Sequence, residues 1–230
     1  MSHMSHTHPT LAVIGGTGAL GTGLAWRLAR AGHRVVVGSR SVERAQTATS
    51  EIRSRLNDKA DVQAMSNSDA AAAADLIFMT VPFASHEAIL ADIKGGAEGK
   101  VVVDATVPLV PPKVATFQAP PEGSAALAAK ALLGDGVTVV SALQNVAAHK
   151  LNEEHEIDCD VLVCADAVAA RQQVIDILAS IGLRGIHAGV LANSVAAEAL
   201  TSILIGINKR YKADGAGIRI TGDLTAAGDA

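Results

Sequence analysis

Leu11-Ala-Val-Ile-Gly15-Gly-Thr-Gly-Ala-Leu-Gly21 is the stretch on which the reading of the fold turns. Leu11–Ile14 reads as a strand, and Ala19–Ala31 as a helix closed at Gly32, a C-cap candidate. Between them Gly16, Gly18 and Gly21 form G-x-G-x-x-G. In a dinucleotide-binding turn each glycine has a task. Gly16 permits the tight turn, Gly18 lets a pyrophosphate approach the backbone, and Gly21 lets the helix pack close on the strand. The anion then rests on the unsatisfied N–H groups and positive dipole end of the helix. The spacing alone is weak evidence. Its place between a strand and a helix, with a second strand at Val35–Val37 about 20 residues on, is the required context.

The end of that second strand selects the dinucleotide. An NAD site usually carries Asp or Glu there, to accept from the adenosine ribose. This chain has Gly38-Ser39-Arg40, with Arg44 one turn further on. A hydroxyl and two guanidinium groups suit a ribose 2′-phosphate. A charge-assisted bond is worth roughly 1.5–3 kcal/mol, so two imply a preference for NADP of about 100-fold or more.

Outward from this loop, short apolar runs alternate with helical stretches, as in α/β proteins with parallel sheets. Further strands are expected near Val62–Met65, Leu76–Val81, Val101–Val103, Val137–Val140, Val161–Val163 and Leu183–His187. The near-unbroken apolar run of Leu76–Val81 predicts burial on both faces. Further helices are expected over Ser41–Leu56, Ser124–Leu133, Asp166–Ile181 and Asn193–Arg210. Val107-Pro-Leu-Val-Pro-Pro112 and Pro120-Pro121 cannot be helix interior and read as an ordered loop. The expected architecture is a Rossmann-type, doubly wound, mostly parallel α/β sheet with a short C-terminal helical appendage. Its divisions are a flexible tail at 1–9, an NADP-binding domain at 10–190, and a C-terminal helix and tail at 191–230 that covers substrate or a second subunit. The last helix is apolar around most of its circumference, which suits burial in its own core or in a homodimer interface.

Composition removes several function classes. Of 230 residues, 19 are Lys or Arg and 23 Asp or Glu, a formal net charge of −4. That balance lacks the electrostatic footprint of a nucleic-acid binder. Five aromatics (three Phe, one Trp, one Tyr) are too few for base-stacking platforms. The uninterrupted apolar runs fall short of the roughly 18–20 residues of a membrane helix. There is no secretion signal, so a cytoplasmic location is expected. Cys159 and Cys164, five apart on a strand, face opposite sides and cannot bridge. The Tyr–Lys pair of short-chain dehydrogenases is absent, since position 215, four after the sole Tyr211, is Gly. No metal-ligand spacing is present, and His149 and His155 read as part of a solvated polar stretch with Glu153, Glu154 and Glu156.

The strands extend to about residue 188 and leave no room for a large second domain. The hydride partner must rest on the dinucleotide domain itself. A flat molecule stacked on the nicotinamide fits that limit, and such a transfer needs orientation more than protein acid–base groups.

From Leu11 to about Gly222 the chain resembles the NADPH-dependent reductases of the deazaflavin coenzyme F420, the F420H2:NADP+ oxidoreductases. The resemblance is carried by Gly15–Gly21, Val37-Gly-Ser-Arg40, Thr80-Val-Pro82, Val107-Pro108, Val139–Val146 and Leu191-Ala-Asn-Ser194. Asn208–Tyr211 and Gly217–Gly222 resemble the bacterial branch. The resemblance implies direct hydride transfer between NADP(H) and F420 by a homodimer. It implies Thr17, Gly18, Ala19 and Leu20 along the pyrophosphate, and Ser39, Arg40 and Arg44 at the 2′-phosphate. Val81 and Pro82 would lie beneath the nicotinamide side, with Val107 and Ala148 nearby. Pro108, Gln144, Asn145 and Val146 would form the deazaflavin pocket. Archaeal members carry His where this chain has Gln144, and an amide cannot titrate near neutral pH. Phe83 and Phe117 could contact a planar ring, although packing accounts for both. No catalytic side chain and no metal are assigned. Two other readings remain open. One is an NADPH-dependent reductase of another acceptor, such as a flavin, a metal chelate or an imine. The other is a non-catalytic NADP-binding redox sensor.

Overall fold

The structure is a computed structural model that describes residues 9–112 and 115–224. Residues 1–8 of the expected flexible tail and 225–230 of the C-terminal segment lie outside the described residues. Six parallel strands form the main sheet: β1 (Leu11–Ile14), β2 (Val35–Ser39), β3 (Val62–Ser66), β4 (Leu76–Met79), β5 (Val101–Asp104) and β6 (Thr138–Ser141). Their order is β3-β2-β1-β4-β5-β6. The chain reverses direction across the sheet between β1 and β4, the switch point where doubly wound folds bind dinucleotides. β1, β2 and β4 are buried along their whole length, because helices cover both faces.

The covering helices are α1 (Ala19–Arg30), α2 (Val42–Arg55), α3 (Asn67–Ala73), α4 (Phe83–Ala97) and α5 (Ala125–Leu133). Ser41 and Ser124 stand just outside α2 and α5 and accept the Arg44 and Leu127 N–H groups, which is why those helices begin one residue later than expected. α3 and α4 follow directly on β3 and on Pro82. α3 is chiefly Ala and α4 mixes apolar and polar residues around its axis, so neither has a strong polar–apolar period.

The expectation of one continuous sheet needs correction at its far edge. β7 (Asp160–Val163) and β8 (Arg184–His187) pair with each other as a separate parallel sheet. It joins the main sheet through a single antiparallel bridge between Ser141 and Cys164. The short helix α6 (Ala148–Leu151) and helix α7 (Val168–Ser180) flank it. Cys159 and Cys164 are buried free thiols on either side of β7.

Asp160 ties the C-terminal segment to this small sheet. Its carboxylate is fully buried and accepts from Arg184 Nε and Nη2, both at 2.6 Å, from Arg219 Nη1 at 3.2 Å, and from the Ile220 N–H at 2.6 Å. The Arg184 bonds, opposed by burial and helped by the Ile220 N–H, hold its pKa at about 2. The carboxyl is depressed from its ordinary value of about 3.9, so its contribution to stability is complete above that pH. It is lost as pH falls through about 2. Asp160→Asn should lower the unfolding free energy at neutral pH by about 2 kcal/mol and flatten the acid limb. Denaturant titrations of both proteins at neutral and acid pH measure this, and equal midpoints would contradict it.

A 3-10 turn at Leu191–Asn193 leads into the last helix, α8 (Ser194–Tyr211). Leu191–Tyr211 is long and apolar enough, by length and composition, to cross a membrane, with a third of that stretch buried. Asn193, Ser194, Glu198, Thr201 and Ser202 interrupt the stretch, so it contains no long unbroken apolar run. The helix is fixed to the domain by the buried residues Ser194, Ala197, Glu198 and Leu204. Its other side leaves Val195, Ile203, Ile207 and Tyr211 exposed, so burial in the chain's own core accounts for only one face.

Candidate dinucleotide and hydride-transfer site

Thr80 threads between two glycines at the centre of the site. Its hydroxyl donates to the Ile14 carbonyl at 2.8 Å. A Cβ on Gly21 would stand 2.6 Å from that hydroxyl oxygen, and one on Gly15 would stand 3.0 Å from the Thr80 carbonyl oxygen. Gly15 also has a φ of +74°, which favours glycine. The tips of β1 and β4 therefore meet at a distance that only glycine permits.

The loop satisfies part of its own backbone. Gly16 N–H donates to Gly38 O at 3.1 Å, Gly18 N–H to Gly15 O at 3.0 Å, and the Thr22 hydroxyl to Gly16 O at 3.1 Å. The first turn of α1 has no side-chain cap and no acidic residue. Its leading N–H groups, from Ala19 onward, face an open end with positive dipole character, which is what an anion requires. Gly18 is exposed, and a Cβ there would meet nothing closer than Gly15 O at 3.5 Å.

A cleft of about 200 Å³ opens above this turn. Gly15, Thr17, Gly18, Ser39, Arg40, Arg44, Val81 and Pro82 line it together. Gly16, Ala19 and Leu20 belong to the same turn without lining the cleft. Ser39 is buried, while Arg40 and Arg44 are exposed at the rim of the cleft. The nearest carboxylate on α2, Glu43, accepts from the Ser41 hydroxyl at 2.7 Å, and that bond first holds its pKa below the usual range. The cleft thus presents two guanidinium groups.

Asn67 escaped sequence reasoning. It opens α3, lines the cleft and is 2 % exposed, yet its buried Oδ1 has no hydrogen-bond partner. A buried amide left unpaired costs about 1–3 kcal/mol, so its place in a ligand cleft is informative. Nothing in the local sequence distinguishes it from a helix-capping Asn.

The second group of expected residues gathers at the tips of β5 and β6, outside that cleft. Val107 is half-buried and Pro108 buried, and the Thr106 hydroxyl donates to Val81 O at 3.4 Å, which joins the β4 and β5 tips. The Gln144 amide points inward: Nε2 donates to Asp104 O and to Ser141 Oγ, both at 2.8 Å. Asn145 Nδ2 donates to Ala197 O at 2.9 Å and to Thr201 Oγ1 at 3.3 Å, and Thr201 Oγ1 donates to Gln144 O at 2.8 Å. These bonds over-determine the segment and hold Leu143 at a φ of +76°, uncommon for a branched residue. Val146 is buried, and Ala148 is half-buried at the start of α6. Asn152, which caps α6, donates to Ala19 O at 3.3 Å and draws this helix toward the glycine turn. Phe83 stacks near His86 and Phe117 is half-buried in the proline loop.

His149, Glu153 and Asp214 place ligand-type atoms within 4.8 Å of one another. Lys150 lies among them, 2.6 Å from Asp214 and 3.4 Å from Glu153, and supplies the positive charge there.

Residues 10–108 match the family described as "NADP oxidoreductase coenzyme F420-dependent". The chain is 37 % identical over 219 residues to the F420-dependent NADP reductase of Methanocaldococcus jannaschii, covering 92 % of this chain and 97 % of that protein. It is 41 % identical over 220 residues to the protein of that name from Methanothermobacter thermautotrophicus, covering 92 % and 94 %. In fold it is similar to a crystal structure from Arthrobacter sp. FB24, described as a candidate F420-dependent NADP-reductase. The TM-score is 0.81 at 23 % identity, with 93 % of this chain and 100 % of that one covered. The glycine turn, the arginine-lined cleft and a match along nearly the whole length of two curated reductases place this chain in the coenzyme F420-dependent NADP oxidoreductase family.

Proposed function

We propose that this chain transfers a hydride between NADP(H) and coenzyme F420: NADPH + F420 + H+ ⇌ NADP+ + F420H2. The observation that carries the NADP half is the cleft at the β2 tip, lined by Arg40, Arg44 and Ser39 and, among the described residues, by no carboxylate. Thr17, Gly18, Ala19 and Leu20 would hold the pyrophosphate on the open N-terminus of α1, with Gly16 forming the turn. Asn67 would accept from the adenosine half. Val81, Pro82, Val107 and Ala148 would bound the nicotinamide side. Pro108, Val146 and the backbone of Gln144 and Asn145 would bound the deazaflavin, since both amide nitrogens are committed inward. Bound NADPH supplies the hydride. The chain's residues orient the two rings and exclude water, and no side chain is assigned as a proton donor. Absorbance of F420 mixed with NADPH and the protein tests the reading.

In this proposal residues 10–190 carry the dinucleotide and the segment from 191 serves a second subunit. The exposed apolar face of α8, with Ile203 at 56 % exposure, supports a homodimer. Light scattering should give twice the chain mass, and Ile203→Glu should give the single-chain mass with the same thermal midpoint. A wild-type monomer at micromolar concentration would contradict this.

A further inference from the structure

His86, Asp104 and Glu198 form a cluster of titratable groups, each at most 3 % exposed, that the transfer itself does not use. His86 comes from α4, Asp104 from the end of β5 and Glu198 from α8. His86 Nε2 lies 2.6 Å from Asp104 Oδ2. The other carboxylate oxygen of Asp104 accepts the Thr106 N–H at 2.9 Å, and its main-chain carbonyl accepts Gln144 Nε2 at 2.8 Å. One residue thereby holds both segments that the deazaflavin reading places around the reacting rings: the turn into Val107–Pro108 and the turn through Gln144.

His86 also lines a cavity away from the dinucleotide cleft. The cavity, of about 580 Å³, lies between α4, α5 and the proline loop. Its walls are Phe83, Leu90 and Leu132, and its charged groups are Glu87 on α4 and Glu122 before α5. His86 Nδ1 makes no hydrogen bond among the described contacts. Glu198 faces the cluster from α8 and accepts the Ala125 and Ala126 N–H groups at 2.7 and 3.1 Å. Burial disfavours a charge on His86, but the adjacent Asp104, their hydrogen bond and Glu198 outweigh it and raise its pKa. Burial pushes Glu198 up to about 8, against its two backbone N–H bonds.

We propose that His86 is a positioning residue: through Asp104 it fixes the Thr106–Pro108 turn and the Gln144 amide, and the α4/α5 cavity gives protons access to it. The geometry of the transfer site then depends on an imidazole that lies outside the residues placed around either ring. The inference rests on the deazaflavin reading only for what those segments present.

The test uses full-length His86→Ala and His86→Gln, with imidazole as the added probe. In H86A the Thr106 N–H and Gln144 side-chain resonances should shift, and kcat for F420 reduction should fall about ten- to a hundred-fold, as misplacement by an ångström does. The KM for NADPH should stay within about two-fold, because this changes geometry in the transfer step and not dinucleotide binding. Imidazole entering by the cavity should restore both the resonances and turnover. H86Q, which still donates to Asp104, should hold both resonances in place. Unmoved Thr106 and Gln144 signals in folded H86A overturn the proposal, as does a kcat loss that neither imidazole nor H86Q relieves. Wild-type protein that binds NADPH but reduces no F420 would overturn the deazaflavin reading instead, and the amide signals would still decide the positioning claim.

Discussion

Arg40→Asp should weaken NADPH binding by about 100-fold or more while changing NADH binding by about three-fold or less. Arg40 lines the cleft beside Ser39 and Arg44, at the strand end where the adenosine ribose is read. The substitution removes a charge-assisted bond worth about 1.5–3 kcal/mol and places a carboxylate against the 2′-phosphate. NADH has no 2′-phosphate and loses nothing there. Asp can also accept from its ribose hydroxyls, so NADH binding should hold or improve. Arg40 is exposed and makes no hydrogen bond among the described contacts, so the fold should be unaffected. Titration of both dinucleotides by nicotinamide fluorescence measures the ratio. Equal weakening of the two would remove Arg40 from the site.

The glycine turn offers a second large effect, because two of its glycines should fail for different reasons. A Cβ at Gly21 would stand 2.6–2.7 Å from Thr80 Oγ1, Gly15 O and Gly16 Cα, two of them backbone atoms that cannot step aside. Gly21→Ala should therefore cost about 1–3 kcal/mol of stability by forcing α1 away from β1 and β4, and dinucleotide binding should fall with it. Gly18→Ala meets only ordinary contact in the protein. Its thermal midpoint should stay near wild type while NADPH affinity falls about ten-fold or more, since the added methyl stands where a pyrophosphate must approach. A destabilised G18A, or a G21A of unchanged stability, would contradict this division of roles.

Much of the fold was legible because its signals are local. The near-unbroken apolar run of β4 marks a strand buried on both faces, and a strand–glycine turn–helix unit has few other uses. The arginines at the β2 tip were legible for the same reason, lying within a few residues of a recognisable strand end. The rest depends on contacts between distant residues. β7 and β8 read as further strands, but nothing in their sequence says that they pair apart from the main sheet, bridged to it at Ser141 and Cys164. Gln144 and Asn145 read as pocket residues, whereas Leu143 turns with a positive φ and directs both amides inward. Asn67 is separated from Arg40 by a helix and a strand, and His86 from Asp104 by 18 residues. Such pairings follow from the packing of strand tips and not from any motif.

The central claim is that one Rossmann domain selects NADP by two arginines and presents it directly to a deazaflavin. The most direct measurement follows the visible absorbance of oxidised coenzyme F420 mixed with the protein and either NADPH or NADH. A protein-dependent loss of absorbance should be at least about 100-fold faster with NADPH at subsaturating dinucleotide, from the two charge-assisted bonds that only NADPH makes. Bound NADPH with no loss of F420 absorbance, or equal rates with the two dinucleotides, would contradict it.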